Sequence, residues 1–139
     1  ELADMVNSSM PDYVVKRIAG ILNKAKKPLS GSRILIIGVS YKRDVNDIRE
    51  SPAVEVIRLL DREGAEVSYF DPYAPRITVD ARKFNSIAWD VRSFRNKDCV
   101  VIVTDHSSVD YEEILDNSKV VLDTRNVYKG LSAKNLIKL

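Results

Sequence analysis

Several residue types are scarce in this sequence, and each scarcity excludes a class of protein. The single cysteine, Cys99, cannot form a disulfide within the chain, so the composition fits a reducing cytoplasm. One cysteine and one histidine also argue against a zinc site with the usual ligands. Wholly apolar runs such as 100–103 are far shorter than the roughly 20 residues of a spanning helix, which excludes a membrane protein. The absence of a basic-then-apolar leader predicts that there is no secretion signal.

The balance of basic and acidic residues restricts the kinds of ligand expected for this chain. Lysine and arginine number 22 against 20 acidic residues, a net charge of +2, which argues against nucleic-acid binding but leaves room for one phosphorylated ligand at a local cluster. With 139 residues, of which 45% are apolar, the chain has the material of one globular domain. Because the sequence starts at Glu1 in mid-pattern, we expect an excised piece of a larger protein.

The first 27 residues predict a helical arm. Residues 1–8 are typical of the end of one helix, and a second helix is expected to start at Pro11, with Ser8 or Ser9 as its cap, and to stop at Pro28. Apolar residues recur in the second helix at helical spacing: Val14, Ile18, Ile21, Leu22 and Ala25. We expect this arm to have little to pack on in the isolated chain.

After residue 28, apolar strands alternate with amphipathic helices. The pattern predicts strands at 33–38, 66–70, 99–104 and 119–123, and helices from Pro52 to Gly64 and at 89–96, 111–116 and 131–137. Pro75 favours a loop at the start of 72–97. Strands that are apolar throughout are covered on both faces, as in parallel sheets. The fold class is therefore predicted to be α/β, a doubly wound, mainly parallel, Rossmann-like sheet with an N-terminal helical arm.

Ligands of such sheets bind beyond the carboxyl ends of the strands, which directs attention to the long loop 38–52. The loop has one glycine followed by bulky residues, so it lacks the G-x-G-x-x-G pattern that a close dinucleotide pyrophosphate needs. It carries Lys42, Arg43 and Arg49 next to a helix start at Ser51, a combination that suits a phosphate held by side-chain charge. The alternative is a solvated loop of mixed charge, which composition alone favours.

The second candidate is Arg125, directly after the last predicted strand. Carboxyl ends of parallel strands share one edge, so Arg125 is expected at the same edge as Lys42, where two cations could bind one diphosphate. The alternative is a surface arginine that pairs with Asp123 or with the acids of the long loop.

The remaining chemically active side chains are assigned structural roles. Asp71-Pro72 is interpreted as a turn, and His106 as part of a polar loop, since no nucleophile pattern supports a Ser-His-Asp triad. Cys99 and Trp89 are predicted to lie in the core, Trp89 only in part. Metal binding is not expected at the loop acids, because basic residues alternate with them: Asp44, Asp47 and Glu50.

One family shares these motifs. The segment 38–53, Gly-Val-Ser-Tyr-Lys-Arg-Asp-Val-Asn-Asp-Ile-Arg-Glu-Ser-Pro-Ala, closely resembles the signature that opens the C-terminal domain of the UDP-glucose/GDP-mannose dehydrogenases. Further matching segments are 64–67, 71–72, 103–106 and 122–125, and 7–15 resembles the end of the family's central helix. The likeness is faint only in 73–97.

This resemblance implies a role in substrate binding. Those enzymes oxidise the C6 alcohol of a nucleotide sugar to a carboxylate in two NAD-dependent steps. NAD would be bound by an N-terminal domain outside this sequence, 1–27 would end the dimerisation helix of a homodimer, and 28–139 would bind the UDP-sugar. By motif match, Lys42 and Arg125 would contact the UDP-sugar, with Tyr41 lining the site.

The resemblance also sets limits on activity. The family's catalytic cysteine precedes this region, and Cys99 does not occupy its place, so the chain alone is expected to be inactive and to bind no cofactor. Asn-Ser-Ser-Met-Pro at 7–11 and Thr-Asp-His-Ser at 104–107 resemble UDP-N-acetylglucosamine 6-dehydrogenases most, which makes UDP-N-acetylglucosamine the expected substrate. UDP-glucose and UDP-N-acetylmannosamine are the alternatives.

Two other functional classes stay open. One is an assembly module that dimerises through residues 1–27. The other is a receiver-like signalling domain, which needs an acidic Mg²⁺ cluster at the strand ends. The mixture of bases and acids in the first loop argues against the receiver.

Overall fold

The chain folds into a parallel sheet with helices on both faces. The computed structural model describes the backbone of residues 2–139 and the side chains from Met10 onward. The strands are β1 (Arg33–Ile37), β2 (Glu66–Phe70), β3 (Arg76–Val79), β4 (Arg82–Asn85), β5 (Cys99–Ile102), β6 (Val121–Asp123) and β7 (Leu136–Lys138). The helices are α1 (Leu2–Lys24), α2 (Pro52–Arg62), α3 (Val91–Arg95) and α4 (Tyr111–Asn117).

The main sheet has the order β2-β1-β5-β6-β7, and all neighbouring strands in it are parallel. The chain moves outward from β1 to β2 and then returns to the other side of β1 with β5. The point where the strand order reverses is therefore between β1 and β5. This arrangement confirms the predicted doubly wound α/β fold.

Alternation along the strands divides the core into two layers. Ile34 and Ile36 of β1 pack on one face with α1 and α2, whereas Leu35 and Ile37 pack on the other with residues of α3 and α4. All four side chains are fully or almost fully buried, as expected for a strand covered on both faces.

Helix α2 forms where its local signals predict it. The Ser51 hydroxyl accepts a hydrogen bond from the Ala53 N–H at 3.2 Å, and Pro52 occupies the first helical position, where its missing N–H needs no partner. Gly64, at φ 86°, follows the end of the helix.

Helix α1 differs from its prediction in two ways. It is one helix from Leu2 to Lys24, and Pro11 lies inside it, so the expected break and the cap at Ser8 or Ser9 are wrong. Proline removes one backbone hydrogen bond, which weakens a helix without always ending it. The arm is also packed, because Val14, Ile18 and Leu22 are buried in the core layer that contains α2.

Two further elements correct the prediction. Strands β3 and β4 form an antiparallel hairpin within 72–97, where the sequence predicted a loop at the start and no strand. Residues 136–138 form the edge strand β7, parallel to β6, in place of the final helix predicted at 131–137.

Of the helices in the described part of the chain, none has the length and hydropathy needed to cross a membrane.

Candidate functional site

The loops that follow four parallel strands lie together at the carboxyl edge of the sheet. We call this edge the rim; it consists of the loops 38–51, 71–75, 103–110 and 124–130, which follow β1, β2, β5 and β6. The first and third of these loops flank the point where the strand order reverses, which is the usual ligand site of an open α/β sheet.

Gly38 allows the two central loops to come into direct contact. Its φ of +87° favours glycine, and a Cβ atom at this position would lie 2.2 Å from the Thr104 carbonyl oxygen. The Thr104 hydroxyl in turn donates a hydrogen bond to the Ser40 carbonyl at 2.7 Å. The backbones of the loops after β1 and β5 are thus in direct contact.

A buried carboxylate connects three of the rim loops. Asp71 Oδ2 accepts hydrogen bonds from the Val39 N–H at 2.8 Å, from the Ser40 N–H and hydroxyl at 3.0 Å each, and from His106 Nε2 at 2.8 Å. The other ring nitrogen, His106 Nδ1, accepts from the Asp44 N–H at 2.8 Å, so the ring proton lies on Nε2. Both Asp71 and His106 are only 1% exposed.

The Asp71 carboxylate is held in its charged form. Burial raises the pKa of Asp71, but the hydrogen bonds from His106 and from backbone N–H groups outweigh it, so the pKa lies below its ordinary value. Asp71 Oδ1 also accepts from the Tyr73 N–H at 2.8 Å, which confirms the predicted turn at Asp71-Pro72. His106 belongs to a loop, as predicted, but it is a buried member of this network.

The network is not a catalytic triad. Ser40 and His106 both donate to Asp71, and the structure gives no hydrogen bond between the serine hydroxyl and the imidazole. A nucleophile needs that bond to a base. These groups therefore fix the shape of the rim.

Two arginines of the rim approach a second buried carboxylate, that of Asp105. Arg43 donates from Nε to the Asp105 carbonyl at 3.1 Å and from a terminal nitrogen to Asp105 Oδ2. Arg125 Nε lies 3.5 Å from Asp105 Oδ1. The structure thus brings the loops after β1 and β6 together through one aspartate of the loop after β5.

The three residues predicted to form the site all lie on exposed parts of the rim. Lys42 is exposed and has no ion pair or hydrogen bond among the described residues, while the Arg125 side chain is 46% exposed. Tyr41 is 53% exposed, and its N–H donates to the Asp47 carbonyl. Lys42 precedes Arg43, the arginine that shares Asp105 with Arg125.

Two other charged residues of the loop after β1 pair with each other, and a third is held by a serine of the loop after β5. Arg49 forms a two-pronged contact with Asp47, from Nε at 3.0 Å and from a terminal nitrogen at 2.9 Å, and this contact lowers the pKa of Asp47 to about 2. The carboxylate of Asp44 accepts from the N–H and the hydroxyl of Ser107 at 2.8 and 2.7 Å. Arg49 therefore does not join Lys42 as a free phosphate ligand.

Asp123 shapes the loop that carries Arg125. Its Oδ1 accepts from the N–H groups of Arg125 and Val127 at 3.0 and 3.2 Å, and its Oδ2 accepts from the Tyr128 N–H at 3.0 Å. The Arg125 side chain instead pairs with Asp105. The sequence had suggested Asp123 or the acids of the long loop as its partner.

The residues assigned to the core are found there. Cys99 is fully buried, and burial raises the pKa of its thiol to about 12, which removes it as a nucleophile near neutral pH. Trp89 is half-buried and packs edge-on against Phe70 and Phe94, with ring centroids 5.0 and 4.9 Å apart.

The residues at the reversal point do not fit a dinucleotide. The N–H groups of Val39 and Ser40, which would face a pyrophosphate, already donate to Asp71. Asp71 stands where an acid would bind a ribose, yet it is buried and fully hydrogen-bonded. The arrangement of Val39, Ser40 and Asp71 therefore does not fit the usual dinucleotide site.

Sequence reasoning missed Asp105 and the hub role of Asp71. Asp71 directly follows β2, and Asp105 lies three residues after the end of β5. An acid at that position of a parallel sheet is placed at the ligand edge, which is the signal that could have identified them.

The sequence of the chain is similar to a family model and to curated proteins. Residues 35–130 match the family model described as "UDP-glucose/GDP-mannose dehydrogenase family, UDP binding domain". A curated relative, the UDP-N-acetyl-D-mannosamine dehydrogenase of Methanococcus maripaludis, is 37% identical over 132 residues, which cover 88% of this chain and 29% of the relative. The UDP-glucose 6-dehydrogenase of Rickettsia bellii is 28% identical, covering 89% of this chain and 30% of the relative.

Solved structures agree with this match. The UDP-D-ManNAc dehydrogenase from Pyrococcus horikoshii superposes with a TM-score of 0.80 at 26% identity, covering 99% of this chain and 32% of that one. The native UDP-N-acetyl-mannosamine dehydrogenase from Staphylococcus aureus gives 0.69 at 33% identity, covering 96% and 31%. The chain thus spans about 30% of the length of the curated relatives it matches.

Proposed function

The chain belongs to the UDP-glucose/GDP-mannose dehydrogenase family, and from this premise we propose that its rim holds the UDP moiety of a UDP-sugar during oxidation by the complete enzyme. Lys42 and Arg125 would bind the diphosphate, and Tyr41 would line the same site. The expectations from the sequence and the family match support these assignments.

The observation that carries the proposal is the meeting of Arg43 and Arg125 at Asp105. It brings the loops after β1 and β6, which are distant in sequence, to one place on the rim. Lys42 directly precedes Arg43 in the chain, is exposed, and has no ion pair or hydrogen bond among the described residues. A diphosphate carries several negative charges, so two or three converging cations match it in charge.

The two proposed ligands differ in kind. Arginine presents a planar fork that can bind two phosphate oxygens at once, whereas lysine acts as a mobile point charge. A half-exposed Arg125 on an ordered loop therefore orients the diphosphate, and the exposed Lys42 neutralises it. Fixed orientation of the nucleotide would in turn hold the sugar in place for the reaction.

The oxidation itself requires parts outside this chain. The family's two-step conversion of a C6 alcohol to a carboxylate needs NAD and a reactive cysteine. Here the rim does not fit NAD, and Cys99 is buried with a raised thiol pKa. We propose that another region of the same enzyme supplies both and that this chain has no turnover alone.

For the substrate, we propose UDP-N-acetylmannosamine in place of the UDP-N-acetylglucosamine expected from sequence. The relatives described above are named as UDP-N-acetylmannosamine and UDP-glucose dehydrogenases. The Methanococcus maripaludis relative, a UDP-N-acetyl-D-mannosamine dehydrogenase, is 37% identical, whereas the Rickettsia bellii UDP-glucose 6-dehydrogenase is 28% identical. The two N-acetylated sugars differ only in stereochemistry at C2, a position that UDP-binding groups do not read.

Homodimerisation of the complete enzyme stays a proposal. Three apolar residues of 1–27 would need a partner in such a dimer: Val14 and Ile18 are buried within this chain, and Ile21 is partly buried against the same core. Their burial weakens the reading of residues 1–27 as a stand-alone assembly module. The division of the chain into 1–27 and 28–139 likewise stays a prediction.

Calorimetric titration of the chain with UDP tests the proposed site. We expect binding at millimolar UDP or below, and a loss of about 1.5–3 kcal/mol in Lys42→Ala and in Arg125→Ala, the usual range for a hydrogen bond to a charged group. The matched control is Arg33→Ala, which removes an exposed arginine from the opposite edge of the sheet. UDP binding that is absent, or equal in the two rim variants and the control, would overturn the proposal.

A further inference from the structure

We propose that Asp105 is a positioning residue of the UDP site, which holds Arg125 and Arg43 by one edge so that their remaining N–H groups face the diphosphate. This inference rests on the proposed function, because it names how the cations of that same site are oriented. It adds Arg43 to Lys42 and Arg125 as a third cation of the site.

Asp105 is unusually placed for an aspartate. Its side chain is only 8% exposed, and it lies between two arginines that come from different loops. A buried carboxylate needs partners for its charge, and two guanidinium groups supply them. The arrangement therefore ties the positions of Arg43 and Arg125 to one fixed point in the loop after β5.

The two carboxylate oxygens of Asp105 are occupied to different degrees. Oδ2 accepts a hydrogen bond from a terminal nitrogen of Arg43. Oδ1 is buried and receives no hydrogen bond from any residue the structure describes, although Arg125 Nε lies 3.5 Å away. A small movement of Arg125 would bring its Nε–H within hydrogen-bond distance and satisfy this oxygen.

In that geometry the Nε–H and the two terminal nitrogens of Arg125 have different partners. If the Nε edge faces Asp105, the two terminal nitrogens remain for an anion, and they present the paired donors that suit a phosphate. Arg43 is held by two hydrogen bonds to the same residue, from Nε to the Asp105 carbonyl and from one terminal nitrogen to the Asp105 carboxylate. Its side chain is still 61% exposed, so its other terminal nitrogen can meet the ligand.

A double-mutant cycle separates positioning from a purely structural role. Asp105→Asn keeps the size of the side chain and removes its charge, and we expect it to weaken UDP binding about tenfold in the wild-type background. In an Arg125→Ala background the same change should weaken UDP binding by a smaller factor, about threefold or less, because only Arg43 then remains for Asp105 to position. Asp90→Asn, which removes the charge of an aspartate paired with Arg92 on α3, is the matched control and should leave UDP affinity unchanged.

A second measurement reads the arginines without any ligand. The Nε–H resonances of Arg43 and Arg125 in proton–nitrogen correlation spectra should be sharp and protected from exchange in the wild-type chain. In Asp105→Asn they should broaden or move toward the values of free arginine, while the backbone amide spectrum stays that of the folded chain.

The outcomes distinguish the two levels of the proposal. If Asp105→Asn weakens UDP binding equally with and without Arg125, or leaves both Nε–H resonances unchanged, positioning by Asp105 is wrong and the UDP site stands. If the wild-type chain binds no UDP while the resonances respond to Asp105→Asn, the proposed function fails for this chain and Asp105 keeps only its hold on the arginines.

Discussion

The two edges of the sheet carry charge in opposite ways. The buried aspartates and histidine of the described chain lie at the rim or, for Asp123, at the end of β6 directly before it: Asp71, Asp105, His106 and Asp123. At the amino edge, charged groups form more exposed pairs, such as Arg33 with Glu66, whose side chains are 56% and 67% exposed.

The difference indicates that the rim loops are held in one conformation more firmly than the amino edge. An exposed pair contributes little to stability, because water screens it and its side chains are free to move. A buried, multiply hydrogen-bonded carboxylate fixes the backbone around it, and a misplaced loop would leave it without partners. Fixed loops at one edge only are what an orienting ligand site requires.

The largest expected effect comes from removing the hub of the rim. Asp71→Ala leaves the N–H groups of Val39 and Ser40 and the ring of His106 without their acceptor, and we expect it to lower the free energy of unfolding by about 3–5 kcal/mol. Glu66→Ala at the amino edge should lower it by less than about 1 kcal/mol. Urea unfolding of both variants checks this, and similar losses would remove the contrast between the edges.

The two ends of β1 allow a matched glycine test. Gly31 and Gly38 have similar φ angles, +84° and +87°, but a Cβ atom on Gly31 would meet nothing within 4 Å, whereas on Gly38 it would lie 2.2 Å from the Thr104 carbonyl oxygen. Gly31→Ala carries only the backbone strain, about 1–2 kcal/mol. We expect Gly38→Ala to lose at least about 3 kcal/mol, since strain and overlap add.

Thermal or urea unfolding of the two glycine variants measures this difference. Gly64→Ala is unsuitable as a control because its Cβ would approach Ser30. Equal losses at positions 31 and 38 would mean that the close contact between the loops after β1 and β5 is not maintained in solution.

A smaller effect concerns acid stability. The pKa of Asp71 is lower in the folded chain than the ordinary value of 3.8, so the stability it contributes is present above that value. This stability is lost as the pH falls through the folded pKa. We expect Asp71→Asn to reduce the loss of unfolding free energy as the pH falls from about 5 to below 3.8. Parallel pH profiles for the wild-type chain and the variant would contradict the assignment.

Local signals predicted the elements that depend on neighbours in sequence. Helix α2 was predicted because Ser51 and Pro52 satisfy its first turn by themselves, and β1 because its unbroken apolar run reports burial on both faces. The fold class followed from the alternation of such elements. The position of Lys42 and Arg125 at one edge followed from the direction of parallel strands.

Elements that depend on unusual turns or distant partners were missed. The β3–β4 hairpin turns through Asp80 and Ala81, both with positive φ, and alanine replaces the glycine that normally indicates such a turn. Strand β7 has three residues and exists because β6 is beside it. The network of Asp71, Asp105 and His106 depends on loops that are more than thirty residues apart in sequence.

The central claim is that UDP binds at the rim, and its location can be measured directly. Amide chemical shifts of the chain, followed during titration with UDP, should change at 40–44, 104–107 and 124–126, with the amino edge around Arg33 and Glu66 unaffected. Shift changes concentrated at the amino edge, or spread evenly over the molecule, would contradict the account.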